Sequence, residues 1–246
     1  MKKTIQSFLQ CLLLTPCLSQ TVGEEVRFLT RQQSLYSGVV TEVTTDTFLV
    51  KFPPLETSLS FATGQYAGEK EQFRNKPGKE VTELGDAVEN RLKQAAVKII
   101  DQWLQQYSFP ESSVNRCCFR FAELEDCNLY LFYTSKGYDH ISTDYYIVKI
   151  ELSGSPGQNP LSSAGMAEPA TSKNHRPIVE ISKHVNHSVY DENEFRNKTD
   201  WNNQPQYMND LQFCFVDEQK PLFQQSLEQV RKAFEFLYQS CQKGKR

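Results

Sequence analysis

The stretch from Gly23 to Phe52 reads GEEVRFLTRQQSLYSGVVTEVTTDTFLVKF, and it decides the fold of the first part of the chain. β-Branched and aromatic residues crowd into three runs, 24–30, 36–43 and 47–52, and such residues suit a pleated, half-buried surface. Gln32-Gln33-Ser34 and Thr45-Asp46 are polar enough to turn between the runs. Pro53-Pro54 stops the third run, because proline lacks the N–H that a ladder needs. A further strand is expected between Leu59 and Tyr66, bounded by Gly64 and Gly68. Short strands at this spacing predict a small, strongly bent β-barrel.

Downstream, Pro77-Gly78 in the charged stretch 68–80 marks a linker. The clearest helix of the chain follows. Leu84, Val88, Leu92, Ala95, Ala96, Ile99, Trp103 and Leu104 line one side of it and Glu89, Arg91, Lys93, Lys98 and Gln102 the other. Thr82 or Asp86 is expected to cap its start, and Phe109-Pro110 ends it. Strands are then expected at Cys117–Ala122, Leu129–Tyr133 and Tyr145–Leu152, with Glu123-Leu124-Glu125-Asp126 as a turn. Tyr146, Val148, Ile150 and Leu152 alternate with Lys149 and Glu151, which predicts a meander with one wet face and one face under the helix. Residues 153–173 hold Ser, Gly, Pro, Ala and Asn with almost no large apolar residue, the composition of a disordered insertion. The fold is expected to resume at Pro177–Ile181, to run mostly as loop through 186–209, and to add a short strand at Leu211–Val216. Pro221 opens a last helix with Leu227, Val230, Phe234, Leu237 and Cys241 as its buried stripe.

Composition narrows the function classes. The aromatic fraction of 12% argues against wholesale disorder. A net charge of −3 gives no overall basic field for nucleic acid, so any such contact must be a local patch. Seven cysteines, with a vicinal Cys117-Cys118 pair and no regular spacing, do not read as a disulfide framework, and reduced thiols are the expectation. Residues 1–19 read in two ways. Ile5, Phe8, Leu9, Leu12 and Leu13 have the spacing of an amphipathic helix, whereas Lys2-Lys3 before an apolar stretch, with cleavage after Ser19, describes a signal peptide. In the second case Asn186-His187-Ser188 and Asn197-Lys198-Thr199 become glycosylation sequons. His184 and His187 lack the paired spacing of a zinc site, and no phosphate loop, nucleophile elbow or HExxH occurs. No cofactor or metal is expected.

Gly23, Val26, Tyr36, Gly38, Val40, Val43, Leu49, Val50 and Phe52 together resemble the pattern of Tudor-like domains in the SH3-like small-barrel class. The resemblance covers about thirty residues and implies a barrel whose aromatic residues form a ligand cage by attraction of a cation to ring faces. Tyr36 and Phe52 fall at cage positions, and Phe48 and Phe61 complete the candidate set. Thr30 stands where a cage aromatic is expected, and Pro53-Pro54 replaces the usual acidic residues. Phe48 and Phe52, four residues apart, share a strand face, and that face is either the ligand face or the core. The helix–meander–helix order of the second half is similar to RWD-type interaction domains.

The expectation is therefore an intracellular α+β protein: residues 1–19 as a helix (or leader), 20–67 as a small barrel, 68–80 as linker, and 81–246 as a helix-covered antiparallel sheet. Its expected role is a non-enzymatic adaptor whose barrel holds a peptide or nucleic-acid segment, chromosome association included, through Tyr36, Phe48, Phe52 and Phe61. A secreted or periplasmic protein of unknown activity, with residues 1–19 as its signal peptide, and an enzyme with a non-local site are the alternatives.

Overall fold

The β-branched runs do become strands. The computed structural model describes residues 21–62, 79–107, 118–136, 142–153, 178–185, 191–196, 206–208 and 221–242. Residues 1–19, most of the 68–80 linker and of the 153–173 insertion, the Leu211–Val216 strand and both sequons lie outside them. The chain is α+β, with two antiparallel sheets and helices, and it divides into two units at Glu89/Asn90.

In the first unit, β1 (Glu25–Leu29), β2 (Leu35–Val43), β3 (Thr47–Phe52) and β4 (Thr57–Ala62) form one sheet in the order β1-β2-β3-β4. The register Phe28↔Tyr36, Val40↔Val50 and Phe48↔Phe61 puts the large side chains on one face. A bulge between Val40 and Glu42 coils β2, and Gly38 admits the curl: a Cβ there would meet Val50 Cγ1 at 2.4 Å. Three strand spacings in a flat sheet separate β1 from β4 by about 14 Å. Yet the Phe28 and Phe61 rings, on β1 and β4, have centroids 5.1 Å apart. The sheet is therefore rolled around its own aromatic residues.

Helix α1 (Lys79–Tyr107) begins before either expected cap, so Asp86 lies inside it. Asp86 instead accepts a hydrogen bond from Arg31 N at 3.0 Å and pairs with Arg31 Nε at 3.2 Å, while Glu83 holds Arg31 Nη2 at 3.0 Å. Gly85 lets the helix touch the β1 backbone at Leu29. These contacts bind the first turns of α1 to the first sheet, and the division between units falls within the helix rather than in the 68–80 stretch.

The second unit carries β5 (Cys118–Glu125), β6 (Asn128–Lys136), β7 (Thr143–Glu151), β8 (Ile178–Val185) and β9 (Gln206–Met208), paired in that order. The short helix α2 (Glu192–Arg196) and the strand β9 fall in the stretch expected to be loop. Helix α3 (Pro221–Gln242) starts at its proline, whose fixed φ suits a first helical turn. The buried stripe of α1 in this unit is Leu92, Ala96, Ile100, Trp103, Leu104 and Tyr107, so Ile100 takes the place expected of Ile99. Trp103 donates to Ser226 Oγ at 3.0 Å, fastening α1 to α3.

The meander does not have a wet face along its middle. Leu129, Leu131, Val148, Ile150 and Leu152 are buried on one side, and Phe132, Tyr145 and Ile147 form a second buried cluster on the other, with Phe121 and Tyr130 packed against it. Tyr145 OH accepts from Asp191 N at 3.2 Å, which brings the segment before α2 over that second face. Alternation along Tyr145–Leu152 alone could not reveal it, because the covering segment comes from more than forty residues downstream.

A second correction concerns the cysteines. Cys127, in the β5–β6 turn, is disulfide-bonded to Cys241 in the last turn of α3, 114 residues away. The expectation of reduced thiols fails for this pair because their proximity is set by tertiary packing, not by spacing.

Candidate functional site

The four rings read as ligand contacts are placed in the first sheet's interior. Tyr36 is 7% exposed, Phe48 1%, Phe52 2% and Phe61 2%. Phe28 stacks on Phe61 and lies 5.9 Å from Phe52, and Phe48 stacks on Phe61 at 5.4 Å. A cation cage needs open ring faces, whereas Phe48, Phe52 and Phe61 pack on one another or on Phe28 and Tyr36 is buried. The rings are the packed core of the unit. Thr30, in the place of a cage aromatic, is fully buried, and its hydroxyl accepts the Ser34 N–H to close the β1–β2 turn. The outward side of β2 bears the exposed apolar residues instead, Leu35 at 47% and Val39 at 38%.

The second unit holds a concave site. An open cleft of about 900 Å³ runs between α1 and β5. The spacing of Asn90, Lys93, Gln94, Val97, Lys98 and Asp101 puts them on one stripe of α1, which forms one wall. Residues Phe121–Glu125 form the other, and Arg196 of α2 also lines the cleft. β5 is the terminal strand of its sheet, so one row of its backbone groups points away from β6. At Ala122 that outward N–H is met by Asp101 Oδ1 at 2.8 Å. Residues two apart along a strand point their amides the same way, so Leu124 directs its N–H and C=O into the cleft.

The site's charges are arranged in opposed pairs. Arg196 pairs with Glu123 and with Glu192, and its guanidinium lies 4.2 Å from the centre of the Phe121 ring. Phe121 in turn stacks on Phe132 at 4.2 Å, so α2 is held by both charge and an aromatic face. Burial raises the pKa of Asp101, and the Ala122 N–H acts in the opposite direction. Tyr130, opposite Glu123 in the register, is also raised, first by burial and then by the charges of Glu125 and Asp126.

A carboxyl whose folded pKa is raised contributes stability in acid, below its unfolded value, and loses that contribution as pH rises through the folded one. At neutral pH the Asp101 charge therefore opposes folding while its oxygen serves β5. Asp101→Asn keeps an acceptor and removes the charge. It is expected to match or exceed the parent in denaturant stability at pH 7, with the advantage vanishing below about pH 4. Asp101→Ala, which leaves Ala122 N–H to water, is expected to lose about 1 kcal/mol. Urea titrations of both variants at pH 7 and pH 3.5 check the pattern.

Sequence reasoning did not find this cleft. Glu123-Leu124-Glu125 was expected to be turn, whereas β5 continues through Glu125 and the turn is Asp126-Cys127. No local signal marked it, because the cleft-facing stripe of α1 (Asn90, Lys93, Gln94, Lys98 and Asp101) has the composition of an ordinary solvated helix face. Among the described residues no group of three His, Cys, Asp or Glu side chains is placed to hold a metal ion. No described helix is long and apolar enough to cross a membrane. The chain matches no family model, and neither curated proteins nor solved structures gave a match.

Proposed function

We propose that the chain is a non-enzymatic binding protein of the adaptor kind, and that it holds an extended peptide segment along β5. The observation that carries this reading is the cleft itself, which follows a terminal strand with outward N–H and C=O at Leu124 and outward C=O at Ala122, the Ala122 N–H being taken by Asp101. An added strand gains affinity from main-chain hydrogen bonds and specificity from alternate side chains. The five residues Phe121–Glu125 match a segment of about five residues, at roughly 3.4 Å each. Val97, Phe121, Ala122 and Leu124 supply apolar surface, and Lys93, Lys98 and Arg196 are balanced by Asp101, Glu123 and Glu125. A lining so balanced favours a peptide over a phosphate backbone, whose binding rests on uncompensated Lys and Arg. The resemblances to Tudor-like and RWD-type domains agree with an interaction role, with the contact moved from the barrel rings to the β5 edge.

Leu124→Pro tests this reading. Its nitrogen faces the cleft rather than β6, so proline removes a donor from the site while sparing the ladder, a placement that edge strands tolerate. In selections from a random peptide library on the full chain, the parent is expected to enrich sequences that the folded Leu124→Pro variant does not. Equal enrichment on both would remove the β5 edge from the account.

One observation favours a second reading of where the protein works. Disulfides persist in oxidising compartments, and Cys127–Cys241 is one. A secreted binder, with residues 1–19 removed as a leader, accommodates it better than an intracellular one. The intact mass of the protein from its native host decides: a chain starting at Gln20 supports export, and one that retains Met1 or Lys2 opposes it.

A further inference from the structure

Beyond the cleft, the feature that most needs a role is the linkage at the tip of the β5–β6 hairpin. Two residues, Asp126 and Cys127, make that turn, and both have positive φ, 45° and 61°. Tight hairpin turns of this hand favour Asn and Gly, which accept left-handed backbone readily. Aspartate tolerates it, but cysteine adopts it reluctantly. Two restraints hold Cys127 there. Its carbonyl accepts the Leu152 N–H at 3.0 Å, and its sulfur is bonded to Cys241. Cys127 is half-buried, whereas Cys241 is 5% exposed, so the more exposed residue of the pair is the one on the hairpin. Glu125, two residues before it, is already cleft wall.

We propose that Cys127–Cys241 is a redox-operated latch. Oxidised, it fixes the hairpin tip to the end of α3 and holds the last residues of β5 in place. Reduced, it releases a turn whose backbone is unfavourable for cysteine, and the Leu124–Glu125 wall loosens. The reductant is a small or protein dithiol. One thiolate of the dithiol attacks Cys127 Sγ, the S–S bond breaks, and Cys241 leaves as a thiolate that takes a proton. The second thiol then closes on the mixed disulfide and releases Cys127. The latch gains two electrons and two protons, and the dithiol becomes a disulfide.

The link to peptide binding rests on the proposed cleft function, whereas the latch itself does not. The test therefore uses the full chain without a ligand. Under non-reducing conditions N-ethylmaleimide is expected to spare Cys127 and Cys241, and to label both after dithiothreitol. Amide exchange at 122–128 and 238–242 is then expected to quicken by about tenfold or more, while 142–150 and the first sheet keep their protection. Reoxidation should restore the slow pattern. A Cys127→Ser/Cys241→Ser chain should show the fast pattern without reductant; if it does not fold, the reversible change in the parent remains the reading. Labelling before reduction, unchanged exchange at 122–128 after it, or loss of protection throughout the second sheet would each overturn the latch. Library selection on reduced and oxidised parent separates the two ideas. A loosened hairpin with undiminished selection refutes the cleft's role and leaves the latch standing.

Discussion

Gly85→Ala is expected to destabilise the first unit by about 3 kcal/mol, the upper part of the range for overpacking. A Cβ at Gly85 would lie 2.1 Å from Leu29 O, 2.4 Å from its carbonyl carbon and 2.9 Å from Thr30 N. All three are backbone atoms, and none can swing aside as a side-chain tip would. The added methyl must push α1 off β1 or bend the strand. Helix propensity works the other way, since alanine is better than glycine in a helix interior by about 1 kcal/mol, but the clash is the larger effect. The Arg31 ion pairs to Glu83 and Asp86 should matter much less. Their side chains are a third or more exposed, and exposed pairs are worth less than about 1 kcal/mol. Thermal melts should therefore rank Gly85→Ala well below Arg31→Ala, the first losing about 10 °C or more.

Phe61→Ala should have an effect as large, about 3–5 kcal/mol, the usual loss for a fully buried phenylalanine. Phe61 stacks on both Phe28 and Phe48, and so ties β4 to β1 as well as to its neighbour β3. Removing it opens a void where the rolled sheet meets itself. A cage residue would behave in the opposite way, losing ligand with the fold intact. Urea unfolding of Phe61→Ala separates the cases, with outward-facing Leu35→Ala as a control expected to stay within about 0.5 kcal/mol. A Phe61→Ala chain as stable as the parent would return the ring to the list of candidate contacts.

These two positions also show what the sequence made legible. The three runs of Gly23–Phe52 gave strands whose observed ends differ by no more than one residue, because turn chemistry and the Pro53-Pro54 stop are local signals. The α1 and α3 stripes were readable for the same reason, as was the α+β class. What the rings face was not readable. Tyr36, Phe48, Phe52 and Phe61 have the same spacing whether a sheet rolls around them or presents them, and only contacts such as Phe28 with Phe61, thirty-three residues apart, decide it. The cleft was hidden in the same way. Asp101 on α1 and Ala122 on β5 become a pair only through the fold, and the Cys127–Cys241 disulfide spans 114 residues. Local patterns carried the elements, whereas the site depends on which elements meet.

Addition of an extended peptide to β5 is reported most directly by the Leu124 amide. Its exchange should be followed in the full oxidised chain, alone and with a peptide enriched from the library. Slowing is expected at Leu124 and its cleft neighbours, with the outward side of β2 unaffected. Slowing at Leu35–Val39, with none at 121–125, would contradict it and place the contact on the first sheet.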